Sequence, residues 1–164
     1  MKFNNLQQEC YDHAAYLCSR SEKSSGNIGE KLRDWGLAPE EAEPVLKKLI
    51  DDKFIDDERF ARSYVKDKFR FNKWGKIKIH YQLKAEKVSG KIIVQAIEEI
   101  DDESYLETLT KLVSEKNKTI QSANPYERRG KLLRFAQGRG FEPELIHSVI
   151  DQIENGIDFH AHDS

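Results

Sequence analysis

The chain has 164 residues, of which 34% are charged and 38% hydrophobic, and its formal net charge is −2. A small apolar fraction under a heavily charged surface is typical of elongated helical proteins and argues against a compact enzyme with a deep pocket. The near-zero net charge excludes a global electrostatic attraction to nucleic acid, so any such attraction must come from a local cluster. No run of about 18 apolar residues occurs, which excludes a membrane-spanning helix.

The N-terminal segment and the two cysteines indicate a reducing compartment. Residues 1–15 contain no long apolar run, so we expect no signal peptide. Cys10 and Cys18 would lie about 12 Å apart on one helix at ~1.5 Å per residue. Because a disulfide needs Cα atoms within about 7 Å, both should be free, semi-buried thiols. We therefore expect a cytoplasmic protein.

Three segments of the chain align with each other without internal gaps. They start at Ile28, Ile79 and Leu132, so the offsets are 51 and 53 residues. Apolar residues recur at matching positions with a spacing of 3 or 4, which is helical. The other matched positions are Leu32, Leu83 and Ala136; Leu37, Val88 and Phe141; Ala42, Ile93 and Ile146; Leu46, Ile97 and Ile150; and Leu49, Ile100 and Ile153.

Another helical segment precedes each of these pairs of helices, so each repeat is predicted to contain three helices. The first helices are predicted at residues 5–20, 57–71 and 103–118. We expect Asp56 or Asp57 to cap the second of these, and Asn124 with Glu127 to form a capping box in the third repeat. The predicted repeats and a disordered tail occupy residues 1–55, 56–102, 103–154 and 155–164.

A turn separates the second and third helices of each repeat. Gly36 and Gly140 stand there in repeats 1 and 3, as expected for a left-handed residue after a helix. Pro39 and Pro143 follow three residues later and suit the first position of the next helix. Repeat 2 has Lys87 instead, and a non-glycine residue in that conformation costs roughly 1 kcal/mol. We therefore expect its turn to be built differently.

Two local signals conflict with the helix prediction. Residues 76–81 alternate like a strand, but the aligned residues 25–28 and 129–132 do not. Three copies should share one structure, so we predict a helix here as well. Pro44 lies inside a predicted helix and should kink it or delay its start.

The pattern predicts an all-α fold in which three tandem three-helix repeats form an elongated, curved rod. Such a rod offers an extended surface to a large partner and no obvious cleft to a small substrate. Gly75-Lys76 and Gly130-Lys131 lack the spacing of a phosphate-binding loop. The acids at 51–52 and 56–58 fall at helix junctions, where helix capping is favoured over catalysis. We therefore predict a binding protein with no enzymatic activity and no cofactor. A histidine-containing group in the tail would bind a metal only adventitiously: His160, His162 and Asp163.

Positive charge is concentrated in residues 66–91, which carry nine Lys or Arg against two acids, a local charge of +7. Aromatic residues are interleaved with these cations, a common footprint of surfaces that bind nucleic acid or an acidic protein. The aromatic residues are Phe69, Phe71, Trp74 and Tyr81. We expect Trp74 and the two phenylalanines to lie in the core. A weaker basic cluster recurs in repeat 3 at Arg128, Arg129, Lys131, Arg134 and Arg139.

The middle repeat resembles that of RecX proteins. The sequence IDDERFA at residues 55–61 is similar to the opening of the RecX middle repeat, and KFRFNKWGKIKI follows at residues 68–79. In that second stretch the family pattern has basic residues, a glycine, then Ile and Leu at helical spacing. Gly75, Ile79 and Leu83 fill those places here. The resemblance extends over almost the whole chain, and the middle repeat is its specific part.

The resemblance implies tandem three-helix repeats and a regulatory function in DNA repair, recombination and the SOS response. RecX proteins bind the RecA recombinase filament, lodge in its helical groove, and lower its ATP hydrolysis, strand exchange and stimulation of repressor self-cleavage. We expect a monomer whose basic residues also meet DNA phosphates, with no membrane contact. The candidate contact residues are Arg70, Lys73, Lys76, Lys78, Lys84, Arg128, Arg129 and Lys131.

Two other classes of protein remain open. The helices joined at Gly36 or Gly140 resemble a helix-turn-helix in spacing, and such a protein should bind naked duplex DNA tightly. A filament modulator should bind naked DNA weakly and need RecA for a large effect. A helical scaffold with no link to nucleic acid is the third class, and the basic segment argues against it.

Overall fold

The structure, a computed structural model of the chain, describes residues 2–156. The expectations for residues 157–164 of the tail, and for His160, His162 and Asp163, lie outside the described residues. Within 2–156 the chain forms nine helices, and none of them is long and apolar enough to cross a membrane. The helices are α1 Asn5–Arg20, α2 Ser25–Asp34, α3 Pro39–Asp51, α4 Asp57–Arg70, α5 Lys76–Ala85, α6 Gly90–Glu98, α7 Asp102–Thr119, α8 Pro125–Gly138 and α9 Pro143–Glu154.

The all-α, three-by-three helix order predicted from the repeat is confirmed, including the helical assignment of residues 76–81 in α5. Most of the aligned apolar positions are buried. Leu46 and Ile97 are only partly buried, because Val45 and Ala96, one residue earlier, occupy the core-facing positions of α3 and α6. The period was therefore correct. The register was one residue off at this position in repeats 1 and 2, whereas Ile150 of repeat 3 is fully buried.

Helix caps follow the prediction in one case and depart from it in another. Asp56 caps α4, since its carboxylate accepts the N–H of Arg59 at 3.0 Å. Asn124 caps α8 by accepting the N–H of Glu127 at 3.3 Å. The reciprocal half of the predicted box is wrong: the Asn124 N–H donates to Ser122 Oγ at 3.2 Å. The Ser122 hydroxyl in turn donates to the Glu127 carboxylate at 3.1 Å.

The turn between the second and third helices is the same in all three repeats. Gly36, Lys87 and Gly140 have φ angles of 107°, 63° and 95°. Each donates its N–H to the carbonyl three residues earlier, and the next N–H bonds to the carbonyl five residues earlier, which is the Schellman arrangement. The expectation of a different turn at Lys87 is therefore wrong. Two such hydrogen bonds, together with an ion pair between Lys87 and Glu30, offset the left-handed backbone.

Pro44 does not delay the helix that contains it. The helix α3 begins at Pro39 and continues through Pro44 to Asp51, so the expected delay is wrong, and a kink at Pro44 stays a prediction. A proline inside a helix removes one N–H donor, and the remaining bonds and the buried Val45 and Leu49 keep the segment helical.

Cys10 and Cys18 both lie on α1 and are free, as predicted, with Cys10 buried and Cys18 partly buried. Burial raises the pKa of both thiols. At neutral pH the protonated form therefore predominates, and these thiols are weak nucleophiles.

The chain divides into two compact units that do not coincide with the repeats. Unit 1 contains the residues up to Val65 together with Gln82–Ala96, and unit 2 contains Lys66–Tyr81 and the residues from Ile97 onward. Each unit contains contacts between two successive repeats, and a turn after the second helix of a repeat takes part in each set. The first junction, in unit 1, joins residues 24–27 to residues 86–87. The second junction, in unit 2, joins residues 75–78 to residues 139–140.

Side chains hold much of the first junction. The Ser24 hydroxyl donates to the Glu86 carbonyl at 2.6 Å, and the Asn27 amide donates to the Glu86 carboxylate at 2.7 Å. Gly26 lies directly against Lys87, so that a Cβ at Gly26 would be only 2.4 Å from the Lys87 Cβ. Glycine is therefore required on α2.

Backbone groups hold the second junction. The Gly75 N–H donates to the Arg139 carbonyl at 2.7 Å, and the Ile77 N–H donates to the Gly140 carbonyl at 3.0 Å. A Cβ at Gly140 would lie 2.2 Å from the Lys78 Cβ. A glycine is therefore required on the turn here, and the helix residue aligned with Gly26 is Ile77. A second glycine, Gly75, stands just before α5, where a Cβ would lie 2.4 Å from the Gly140 carbonyl.

Candidate partner-binding surface

The basic segment is divided between the two compact units. Residues 66–81, which we call the α4–α5 segment, lie in unit 2 and carry six Lys or Arg and one acid. Lys84, Lys87 and Lys91 lie in unit 1. All three are exposed, and only Lys87 forms an ion pair with another of residues 2–156.

Two exposed cations of the α4–α5 segment stand where α4 ends. Arg70 is exposed in the last turn of α4, and Lys73 is exposed in the loop that follows. The Lys73 ammonium donates to the Arg70 carbonyl at 2.6 Å. Within the described part of the chain neither side chain has a carboxylate partner, so both charges remain available to a ligand.

Lys76 packs against Tyr105 of α7 and is therefore less available to a partner than Arg70 and Lys73. Its backbone N–H donates to the Tyr105 hydroxyl at 2.9 Å, and its ammonium lies 4.6 Å from the centre of the Tyr105 ring. The ammonium is also 3.8 Å from the exposed Asp102 carboxylate, a weak pairing in water. The Tyr105 hydroxyl donates to the Glu142 carboxylate. Burial, and then this hydrogen bond, raise the pKa of Tyr105 far above its usual value.

Two ammonium groups lie against the indole of Trp74. The Lys78 ammonium is 4.6 Å from the ring centre and that of Lys68 is 4.9 Å, both within cation–π range. Trp74 and Phe69 are partly buried, and the Phe69 ring packs 5.9 Å from that of Tyr105. Phe71 is 76% exposed, so its predicted place in the core is wrong. It follows the last residue of α4, where the chain has already left the helix.

The guanidinium of Arg128 donates its hydrogen bonds to groups of the same chain. Its guanidinium donates to the carbonyl and the side-chain oxygen of Asn117, and to the carbonyls of Ile120 and Ser122, at 2.7–2.9 Å. These acceptors lie at the end of α7 and in the loop after it. Arg128 therefore holds the loop after α7 against the helix end, and these donors are not free for a ligand.

Arg129 joins α8 to α9, since its guanidinium pairs with Asp151 at 2.9 Å and with Glu154 at 3.2 Å. Lys131 is exposed and lies 3.4 Å from Glu127 one turn earlier on α8, an arrangement that contributes only a few tenths of a kcal/mol. Of the three candidates in repeat 3, Lys131 keeps the most accessible charge.

The sequence pattern did not predict an exposed apolar pair on α5. Ile77 and Tyr81 are 52% and 72% exposed and lie one helical turn apart. The opposite side of α5 buries Ile79 and Leu83 completely. Because apolar residues occupy both sides of this helix, its periodicity alone could not separate the core side from the exposed side.

The aligned residues of the other repeats carry the signal that was missed. At the position of Ile77, repeats 1 and 3 have Gly26 and Gly130. At the position of Tyr81 they have the charged residues Glu30 and Arg134. The exposed apolar pair is therefore particular to the middle repeat.

The chain matches known sequence families in three successive blocks. RecX, first three-helix domain, matches residues 10–49; RecX, second three-helix domain, matches residues 56–97; and RecX, third three-helix domain, matches residues 102–150. The three matches follow one another in family order.

Curated relatives carry the same name. Regulatory protein RecX of Lactobacillus johnsonii is 30% identical over 123 residues, which cover 75% of this chain and 45% of that protein. Regulatory protein RecX of Clostridium perfringens (strain 13) is 25% identical over 149 residues, which cover 90% of this chain and 69% of that protein. The chain thus spans from under half to about two thirds of the length of these relatives.

Two crystal structures have the same fold. RecX from Lactobacillus salivarius superposes with a TM-score of 0.85 at 19% identity, covering 92% of this chain and 97% of that one. A second structure, of a regulatory protein RecX, gives a TM-score of 0.80 at 23% identity, covering 90% of this chain and 72% of that one. Since the three domain matches also cover most of the sequence, the chain belongs to the RecX family.

Proposed function

We propose that this chain binds the RecA–DNA filament and lowers its ATPase, strand-exchange and coprotease activities through the α4–α5 segment. The observation that carries the proposal is the pair of exposed cations, Arg70 and Lys73, which have no carboxylate partner among residues 2–156. Family membership supports a regulatory function, because the relatives are named regulatory protein RecX. RecA is the partner that the resemblance to RecX proteins implies.

The mechanism follows from charge and differential binding. A filament of protein on DNA exposes carboxylates and phosphates, and a cationic segment binds such a surface and releases counterions. A ligand shifts a two-state assembly only by the difference between its affinities for the two states. The α4–α5 segment inhibits, in this account, because it binds the less active state of the filament more tightly.

The eight candidate contact residues are not equally available. The donors of Arg128 and Arg129 are bonded within the chain, and Lys76 packs on Tyr105. Arg70 and Lys73 are therefore the favoured contacts within the α4–α5 segment. Lys84 and Lys131, both exposed, are secondary contacts.

The test is the single-stranded-DNA-dependent ATPase of RecA, measured against increasing concentrations of the chain. The variant is Arg70→Glu with Lys73→Glu. The matched control is Lys31→Glu with Arg33→Glu, which makes the same charge change at exposed residues in the last turn of α2. We expect the first variant to need at least about tenfold more protein for half-inhibition and the control to behave like the wild type.

Lys76 and Lys78 are less suitable for this experiment. Reversing their charges should also abolish inhibition, but Lys76 contacts Tyr105 and Lys78 packs on Trp74 and Gly140. A loss of function there could reflect a disturbed second junction. Equal potency of the wild type and the Arg70/Lys73 variant would contradict the assignment of the surface.

Direct recognition of duplex DNA by a helix-turn-helix is the competing function. A recognition helix presents its N-terminal residues to the base edges. Here α3 begins with Glu40 and Glu41, and α9 is preceded by Glu142 and carries Glu144 in its first turn. Carboxylates at these positions repel phosphates. Duplex binding in the absence of RecA, measured beside the ATPase, separates the two functions.

A further inference from the structure

The exposed pair on α5 has the character of a protein-docking element. We propose that Ile77 and Tyr81 form an apolar anchor that docks α5 onto a protein surface that is apolar at its centre and acidic at its edge. The inference rests on the proposed function, and it assigns the anchor to the protein of the filament and not to its DNA.

Exposure of this pair is not a requirement of the fold. The core side of α5 is satisfied by Ile79 and Leu83, which are fully buried. At the two exposed positions repeats 1 and 3 carry only glycine and a charged residue, yet they form the same three-helix unit. The exposed isoleucine and tyrosine therefore form an apolar surface on one side of α5 that the fold itself does not use.

The second junction makes room for this anchor. In the first junction the Lys87 side chain covers Gly26, so that position cannot carry a side chain. In the second junction the turn residue is Gly140, which contacts α5 through its backbone and accepts the Ile77 N–H. Moving the glycine from the helix to the turn leaves the Ile77 side chain free to face solvent.

The chemistry of the pair favours a protein over a nucleic acid. Residues at i and i+4 on one helix side are the usual anchors for an apolar groove, and tyrosine is enriched among residues that dominate protein interfaces. Bases stack on aromatic faces, and Ile77 offers no such face.

The cations near the anchor indicate the charge of the partner. Lys73 is four residues before Ile77, so their Cα atoms are at most about 14 Å apart. Lys73 has no carboxylate partner among the described residues. Arg70, three residues earlier, has none there either. Charge complementarity then places carboxylates around the apolar centre of the partner surface.

The test compares two apolar-to-polar pairs in the full chain. The anchor variant is Ile77→Ser with Tyr81→Ser. The control is Ile50→Ser with Tyr16→Ser, an exposed isoleucine and tyrosine of unit 1. Binding is measured by cosedimentation with RecA filaments on single-stranded DNA, at low and high salt, and to the same DNA alone by fluorescence anisotropy.

We expect the anchor variant to bind filaments at least about tenfold more weakly, with unchanged binding to bare DNA and an unchanged control. Its defect should persist at high salt, whereas the defect of the Arg70/Lys73 charge reversal should shrink, because salt screens exposed charges. Should the double variant fail to fold, the single change Tyr81→Ser provides the same test without introducing a charge.

Two results would overturn the inference while the proposed function stands. One is wild-type affinity of the anchor variant for filaments that the wild type inhibits. The other is an equal loss of affinity for bare DNA, which would make the pair a base-stacking platform. If the wild type itself neither binds nor inhibits filaments, the proposed function fails and the inference fails with it.

Discussion

The two junctions between repeats are built on the same turn, and they differ at one pair of facing residues, which is Gly26 with Lys87 in the first junction and Ile77 with Gly140 in the second. In the first junction Gly26 of α2 accommodates the side chain of Lys87. In the second junction Gly140 of the turn accommodates α5, whose aligned residue is Ile77. Where Gly26 faces Lys87 and Ile77 faces Gly140, one residue of each facing pair is glycine, and which one it is decides whether the helix can display a side chain there. The second junction needs Gly75 as well, because a Cβ there would lie 2.4 Å from the Gly140 carbonyl.

This difference explains how near-identical units acquire different surfaces. Repeat 1 presents a glycine, and its charged Glu30 is paired with Lys87. Repeat 2 presents Ile77 and Tyr81 beside cations without partners among the described residues. The backbone arrangement is kept, and the functional surface follows from side chains that the junction either covers or leaves exposed.

Of the substitutions at the two junctions, Gly140→Ala should lower the free energy of unfolding most. The added Cβ would lie 2.2 Å from the Lys78 Cβ and 2.7 Å from its backbone nitrogen, at a φ of +95°. We expect a loss of about 3–5 kcal/mol in the free energy of unfolding, from steric overlap and a disfavoured backbone. Urea unfolding followed by circular dichroism measures it.

Gly138→Ala is the control for this substitution. Gly138 ends α8, and nothing lies within 4 Å of the position of an added Cβ. Alanine there should stabilise the chain by up to about 1 kcal/mol. If Gly140→Ala behaved in the same way, the close contact at the second junction would not exist.

Gly26→Ala should cost about 2–3 kcal/mol, since its Cβ would lie 2.4 Å from the Lys87 Cβ. In a Lys87→Gly background the cost should fall by about 1 kcal/mol or more. It should not vanish, because the Lys87 carbonyl would still lie 2.9 Å away. A double-mutant cycle measures the coupling. Additive effects of the two substitutions would show that the glycine does not serve this contact.

Tyr105→Phe removes a hydroxyl that serves the second junction. The change leaves the Lys76 N–H without its acceptor and Glu142 without its donor, a cost of about 2 kcal/mol. Burial raises the pKa of Tyr105 in the folded state, while the unfolded chain ionises near pH 10. The stability from this hydroxyl is therefore fully present below pH 10 and declines as the pH rises above it.

The stability difference between the wild type and Tyr105→Phe should accordingly narrow above pH 10. Unfolding curves at pH 8 and at a pH above 10 measure it. The other tyrosines are identical in both proteins, so the difference isolates Tyr105. A gap that stayed constant with pH would contradict the buried, protonated hydroxyl.

Ser24→Ala should have the smallest effect, about 1 kcal/mol. The buried Ser24 hydroxyl donates to the Glu86 carbonyl and accepts the N–H of Asn27 at the start of α2, so its loss removes a helix cap and a junction bond. The aligned Gly75 uses its backbone N–H instead. Chemical denaturation measures this loss in the free energy of unfolding. An unchanged midpoint for Ser24→Ala would show that its hydroxyl is dispensable.

The fold could be predicted because it depends on regular apolar spacing. Three copies of one pattern predicted the helices and most of the core. Comparison of the copies also favoured a helix over a strand for the alternating residues of α5. The turn at Lys87 was mispredicted, because the roughly 1 kcal/mol cost of its backbone is offset by hydrogen bonds that only the folded turn provides. The close contacts at the junctions join residues far apart in sequence and left no local signal.

The candidate surface was predictable only as a stretch of charge. Charge along a sequence does not state which cations find partners within the chain: Arg128 and Arg129 do, whereas Arg70 and Lys73 do not among residues 2–156. The apolar part of the surface became visible when burial separated the two sides of α5.

The most direct test of the α4–α5 segment as the partner-binding surface is hydroxyl-radical footprinting of the chain bound to RecA filaments. Four exposed aromatic side chains report on it, Tyr81 and Phe71 within the segment and Tyr16 and Tyr126 outside it. We expect filaments to reduce the oxidation of Tyr81 and Phe71 strongly and to leave Tyr16 as reactive as in the free protein. Full reactivity of Tyr81 and Phe71 in the bound chain would contradict this expectation.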